Sequence, residues 1–133
     1  MNSNTPFDAM FSGVIGQEYD LLKLICPFAT EMSRLVGAKL GEIASAQGQP
    51  VQVVELGGGT GITTLAILSA HADLRVLSID NEPTMQRQAQ QSLSAWVNEG
   101  RLSFSGDDAL TALANMPDGS VDAIGSAYTC LLY

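Results

Sequence analysis

The run Val53-Val54-Glu55-Leu56-Gly57-Gly58-Gly59-Thr60-Gly61-Ile62 places four glycines in five residues, directly behind a β-branched apolar segment and directly ahead of a helical one. Glycine loses more backbone freedom on folding than any other residue, so four together exceed what a simple turn requires. What they permit is positive φ and a backbone that a ligand can approach closely. In an open parallel sheet, ligands bind outside the carboxyl ends of the strands where the chain order reverses, and the first strand-to-helix turn lines that crevice. The loop is therefore expected to touch a nucleotide-like cofactor, with a tight unliganded turn as the alternative.

The rest of the chain supplies the sheet that such a loop needs. Apolar residues recur from Met32 through Leu35, Val36, Leu40 and Ile43 at helical spacing, until Gln47-Gly48-Gln49-Pro50 breaks the pattern. Val51 to Leu56 reads as a strand, Ile62 to Ala70 as a helix and Leu74 to Ile79 as a second strand. Pro83 suits the first turn of a third helix, with Met85, Ala89, Leu93 and Trp96 on one face and Asn98 and Gly100 ending it. Leu102 to Phe104 reads as a third strand, Asp107 to Ala114 as a short helix and Val121 to Ala127 as a fourth strand. Strands that alternate with helices and are nearly continuous in apolar character predict an α/β fold: a Rossmann-like parallel sheet with helices on both faces. Residues 1–50 are expected to form an N-terminal helical cap and 51–133 the nucleotide-binding part of one domain, with ordered structure beginning near Phe7.

Charge and composition restrict the partners. Fourteen acidic residues against six basic ones give a formal net charge of -8, and Lys23, Arg34, Lys39, Arg75, Arg87 and Arg101 are scattered singly. Phosphate backbones are bound by clustered cations, so unaided nucleic-acid binding is not expected. No apolar run approaches the ~18 to 20 residues of a bilayer span, and Lys23 comes too late for a signal peptide, which predicts a soluble cytoplasmic protein with no membrane partner. Cys26 and Cys130 read as reduced core residues, and a single histidine, His71, excludes a multi-histidine metal site within this chain. No metal is expected.

Two cofactor classes compete for the glycine loop, and spacing separates them. The dinucleotide fingerprint GxGxxG needs a third glycine where this chain has Ile62. Instead, Glu55 followed by Gly57, Gly59 and Gly61 gives ExGxGxG, which resembles motif I of the class I S-adenosylmethionine-dependent methyltransferases. Asp80 closes the second strand 25 residues after Glu55, where a carboxylate can accept from the ribose hydroxyls of an adenosine; its alternative role is at a helix N-terminus ahead of Pro83. The resemblance implies that Asp80 holds the ribose and that Asn81 and Glu82 line the adenine. It also implies that the segment Gly106-Asp107-Asp108-Ala109 presents Asp107 to the adenine amino group. N-capping of the following helix is the other task open to Asp107 and Asp108. Gly58 belongs to the same loop, and Ser126 and Ala127 stand where the family places the methionine part of the cofactor. Glu55 is expected either to reach the cofactor's ammonium group through water or to hold the loop, and is not assigned a catalytic role.

Methyl transfer from a sulfonium is an in-line displacement with an excellent leaving group, so alignment is the main requirement and no dedicated base is expected. Tyr19 or Tyr128 can serve as an aromatic wall for the sulfonium, or as an ordinary packing residue. The resemblance runs from about Phe7 to Tyr133 and implies S-adenosylmethionine as cofactor and a small-molecule methyl acceptor. A finer likeness, to the branch that contains carboxy-S-adenosylmethionine synthase, rests on Phe7-Asp8, on Ile79 to Met85 and on Ala127 to Leu132. The family's sheet has seven strands in the order 3-2-1-4-5-7-6, so the chain is expected to be truncated after the fourth. Strand four would then be an open edge bearing Ala123, Ile124, Ala127 and Leu131-Leu132-Tyr133. Three arrangements answer it: a piece of a longer enzyme, a homodimer that pairs or swaps strands across the edge, or a half-domain that binds cofactor without turnover.

Overall fold

The structure, a computed structural model, describes Leu21 and residues 24–127. In chain order its elements are α1 (Ala29–Gln47), β1 (Val51–Leu56), α2 (Ile62–Ala70), β2 (Leu74–Ile79), α3 (Pro83–Ser92), α4 (Ser94–Asn98), β3 (Leu102–Ser105), α5 (Ala109–Ala114) and β4 (Ala123–Ser126). The strands form one parallel sheet in the order β3-β2-β1-β4. Register brings Val53 beside Val76 and Ala123, and Val76 beside Leu102. Alternation along a strand sends successive side chains to opposite faces, so apolar runs supply two cores at once.

On one face Val51, Val53, Leu74, Val76 and Leu102 pack with Leu40 and Ala44 of α1, Leu65, Ile67 and Leu68 of α2, and Leu93. On the other, Val54 and Ile79 meet Ala112 of α5, with Leu56, Leu77, Met116 and Val121 around them. Each large aliphatic side chain so buried contributes roughly 1.5–3 kcal/mol. Helix α1 thus shares the main core of the sheet. It lies so close to α2 that a Cβ on Gly37 would stand 2.5 Å from the Ala66 carbonyl oxygen. The buried hydroxyls of Ser33 and Thr63 meet between the same helices at 2.8 Å. At the far end of α2, the Arg101 guanidinium donates to the carbonyls of Leu68 (2.7 Å), His71 (2.8 Å) and Leu74 (3.2 Å), joining helix end, turn and strand.

Several boundaries differ from the sequence expectation. The helix expected from Pro83 to Asn98 is two helices, because the chain turns at Leu93 (φ -109°, ψ 22°). That turn keeps Leu93 inside, at 1% exposure, whereas Met85 on the same expected face is 47% exposed. The helix expected from Asp107 starts at Ala109, and β4 spans Ala123–Ser126 rather than 121–127. Cys26 is exposed instead of buried. Among the described residues β4 pairs only with β1, and its Ile124 is 57% exposed. The expectations for Phe7, Asp8, Tyr19, Tyr128, Cys130 and Leu131 to Tyr133 lie outside the described residues. No helix among those described is long and apolar enough to cross a membrane.

Candidate cofactor site

Chain order reverses between β1 and β4: β2 and β3 extend the sheet to one side of β1, and β4 returns to the other. The carboxyl ends of these strands carry every candidate residue within the described part of the chain, which is where an open α/β sheet binds ligands. The glycine loop leaves β1 there and is tied down by its backbone amides. Gly57 donates to the Ile79 carbonyl at 2.8 Å, Gly59 to the Asp80 carboxylate at 2.8 Å and Gly61 to the Gly58 carbonyl at 3.1 Å.

The glycines are required for different reasons. Gly61, the N-cap of α2, has φ 103°, and a Cβ there would stand 2.7 Å from Cδ1 of Leu93. Gly58 has no left-handed φ; instead, a Cβ would fall 1.9 Å from Oγ of Ser78 and 2.8 Å from Oε1 of Glu55. The constraint at Gly58 therefore comes from the protein's own β2 strand beneath the loop. Ser78 is a residue the sequence did not single out, and its only local signal is a polar residue inside an apolar strand.

Glu55 lies under that loop and is 1% exposed. Its Oε1 accepts from the Thr64 hydroxyl of α2 and from the Ser78 hydroxyl at 3.2 Å, while Oε2 is buried and has no hydrogen-bond partner among the described residues. Burial pushes the carboxyl up to about 7, against the lowering effect of the two hydroxyls, and the nearby Asp80 charge pushes the same way. A group so enclosed supports the loop from inside.

Asp80 follows β2 and spans two backbone segments. Oδ2 accepts the Gly59 amide and Oδ1 accepts the Glu82 amide at 2.9 Å. The capping of α3 belongs to Glu82, whose Oε2 accepts the Met85 amide at 2.7 Å; that hydrogen bond holds its carboxyl below the usual range. Asn81 and Glu82 are exposed at the rim. Met85, which the spacing assigns to one helix face and not to the site, borders the loop, with its sulfur 4.0 Å from where a Gly59 Cβ would stand.

Beyond β3 the two aspartates divide. Asp108 caps α5, with Oδ1 accepting the Thr111 amide at 2.9 Å and Oδ2 the Thr111 hydroxyl at 2.7 Å, and its carboxyl is lowered chiefly by that amide. Asp107 is exposed, and among the described residues no hydrogen bond engages its carboxylate. Ser126 ends β4 and donates its hydroxyl to the Leu56 carbonyl at 3.2 Å, at the point where β1 enters the glycine loop. Tyr19 is outside the described residues. No cluster of His, Cys, Asp and Glu among the described residues is placed to hold a metal ion.

Comparison with known proteins bears directly on this arrangement. The family model described as a methyltransferase domain matches residues 53–133. A carboxy-S-adenosyl-L-methionine synthase from Shewanella amazonensis is 32% identical over 104 residues, covering 76% of this chain and 40% of that protein. The chain thus spans 40% of the length of this curated relative. Among solved structures, the O-methyltransferase TomG from Streptomyces achromogenes, in complex with S-adenosylmethionine, superposes with a TM-score of 0.54 at 20% identity, over 68% of this chain and 42% of that one. An O-methyltransferase from Bacillus cereus in complex with S-adenosylhomocysteine gives 0.52 at 19% identity, over 68% and 42%. At such identities the superpositions establish the fold.

Proposed function

The chain belongs to the methyltransferase-domain family, and from that premise we propose that it binds S-adenosylmethionine across the carboxyl ends of its strands and serves methyl transfer to a small-molecule acceptor. The observation that carries this reading is the Asp80 carboxylate. It fastens the glycine loop through Gly59 while using two of the about four acceptor positions a carboxylate offers, which leaves capacity for two ribose hydroxyls.

The remaining roles follow from placement. Asp107, with its carboxylate uncommitted, takes the adenine amino group; Asn81 and Glu82 form the adenine rim. Gly57, Gly58, Gly59 and Gly61 pass the backbone beneath the cofactor. Gly61 gives α2 no side-chain cap, so the first amides of that helix suit the anionic carboxylate of the methionine end. Ser126 belongs to that end as well. Bound S-adenosylmethionine would supply a methyl carbon on a good leaving group, so the chain's task is to align it with the acceptor and exclude water. Glu55 does not enter this chemistry; it holds the loop.

Calorimetric titration with S-adenosylhomocysteine and, separately, with NADH tests the reading. Saturable binding of the first alone is expected. Tight NADH binding with no response to S-adenosylhomocysteine would replace the methyltransferase reading with a dehydrogenase one.

The exposed Ile124 on β4 favours a second arrangement, in which a further strand, from a second copy or from more of a longer chain, covers that edge. Read as a cofactor-binding half-domain, the chain would bind S-adenosylhomocysteine and transfer no methyl group to any acceptor, and turnover by the isolated chain would eliminate that reading.

A further inference from the structure

Gln86 lies one turn into α3, outside both acidic loops, yet its side chain joins them. Its Nε2 donates to the Ser105 carbonyl at 2.7 Å and to the Asp80 carbonyl at 3.3 Å, so both amide protons are used. Its Oε1 stands 3.5 Å from where a Cβ of Gly106 would be, directly over the start of the Gly106-Asp107 turn. The backbone amide of Asp80 also donates to the Ser105 carbonyl at 3.1 Å. At the end of β2 and β3 that amide supplies one backbone link between the loops, and Gln86 adds the two that come from a third element. The Gln86 backbone amide is itself fixed to the Glu82 carbonyl at 3.1 Å in the first turn of α3.

A primary amide suits this task without adding a charge. Two carbonyl oxygens must both be met by donors, and a single nitrogen carrying two protons reaches both from one side. A carboxylate would oppose two carbonyl dipoles, and a thioether would leave them with fewer partners in a half-buried position.

We propose that Gln86 is a positioning residue that sets the span between Asp80 and Asp107, and thereby the chain's preference for an adenine base. This rests on the reading that Asp80 holds the ribose and Asp107 the adenine amino group. A carboxylate that accepts from a 6-amino group repels the 6-oxo group of hypoxanthine, and such discrimination depends on the carboxylate standing at hydrogen-bond distance. Loosening the clamp lets the Asp107 turn drift relative to Asp80. The base preference then falls further than the affinity for the rest of the ligand.

The test is calorimetric titration of the 133-residue chain and its Gln86→Met variant with S-adenosylhomocysteine and with S-inosylhomocysteine, which carries the 6-oxo base. The unsubstituted chain is expected to favour the adenine ligand by at least about tenfold, equivalent to one well-placed hydrogen bond. Gln86→Met is expected to reduce that ratio severalfold, chiefly through weaker S-adenosylhomocysteine binding. An unchanged ratio in Gln86→Met, even with both affinities lowered together, overturns the positioning role, because a merely structural residue weakens both ligands alike. Failure of the unsubstituted chain to bind S-adenosylhomocysteine overturns the cofactor reading and this inference with it; binding without an adenine preference overturns the inference alone. Should Gln86→Met not fold, Gln86→Asn, which keeps the amide one methylene short of its partners, is judged by the same ratio.

Discussion

Asp80 accepts the backbone amide of Gly59 at 2.8 Å, so the residue that follows β2 also fastens the loop that follows β1. Parallel pairing puts Leu56 beside Ile79, which brings those two strand ends together and makes the link possible. One carboxylate therefore shapes the loop and faces the same crevice as the cofactor it would hold. Asp80→Asn removes the charge and, with a single acceptor oxygen, keeps only one of the two backbone amide bonds that the carboxylate makes to Gly59 and Glu82. Charge-assisted hydrogen bonds contribute about 1.5–3 kcal/mol, so S-adenosylhomocysteine should bind roughly 10- to 100-fold more weakly by calorimetry. Undiminished affinity would remove Asp80 from the site.

Gly58→Ala should destabilise the fold. The new methyl would sit 1.9 Å from the Ser78 hydroxyl oxygen, a distance that forces either the loop or β2 to move. Overpacking of this kind costs about 1–3 kcal/mol, measurable as a lower urea midpoint. Adding Ser78→Ala removes the closest atom, leaving Oε1 of Glu55 at 2.8 Å, and should restore part of the loss. Independent, additive effects of the two substitutions would contradict the contact.

Stability should depend on pH through Glu55. Its pKa rises from an ordinary 4.5 to about 7 on folding, so the folded chain holds a proton that the unfolded chain releases over that interval. Its contribution is therefore fully present below about pH 4.5 and is lost as pH climbs through 7. At 1.36 kcal/mol per pKa unit the loss amounts to about 3 kcal/mol at most. Urea unfolding at pH 5 and pH 8 measures it, and Glu55→Gln should flatten that part of the profile. An identical slope in the variant would assign the dependence to another group.

The adjacent aspartates should separate by function. Asp108→Ala removes the cap of α5 and should lower the melting temperature, with little change in the affinity of the folded protein for S-adenosylhomocysteine. Asp107→Ala should do the reverse, leaving the melting temperature nearly unchanged while weakening binding. Equal effects on binding from both substitutions would show that the turn as a whole, and not the Asp107 carboxylate, meets the base.

Order of elements, strand limits at Val51–Leu56 and Leu74–Ile79, and the glycine loop itself were all legible in the chain, because each depends on periodicity or on a local run of glycine. The turn at Leu93 was not. Spacings of four, four and three between Met85, Ala89, Leu93 and Trp96 remain in helical phase across a break, so the periodicity looks continuous where the backbone is not. Nor could the helix caps be divided among neighbours, since Asp80, Glu82, Asp107 and Asp108 all have suitable side chains and only backbone direction selects Glu82 and Asp108.

What the sequence by itself determined is the local grammar of this protein: an alternating α/β chain, a loop only glycine can form, and carboxylates at two strand ends. Tertiary structure decided which atoms those residues meet. Ser78 lies beneath Gly58, Gln86 spans Asp80 and Ser105, and Glu55 is enclosed by Thr64 and Ser78. These partners are 6 to 23 residues apart in the chain, and what joins them is strand register and helix docking. Such pairings arise from burial of the whole apolar sheet face, a property summed over many residues and therefore invisible in any short stretch.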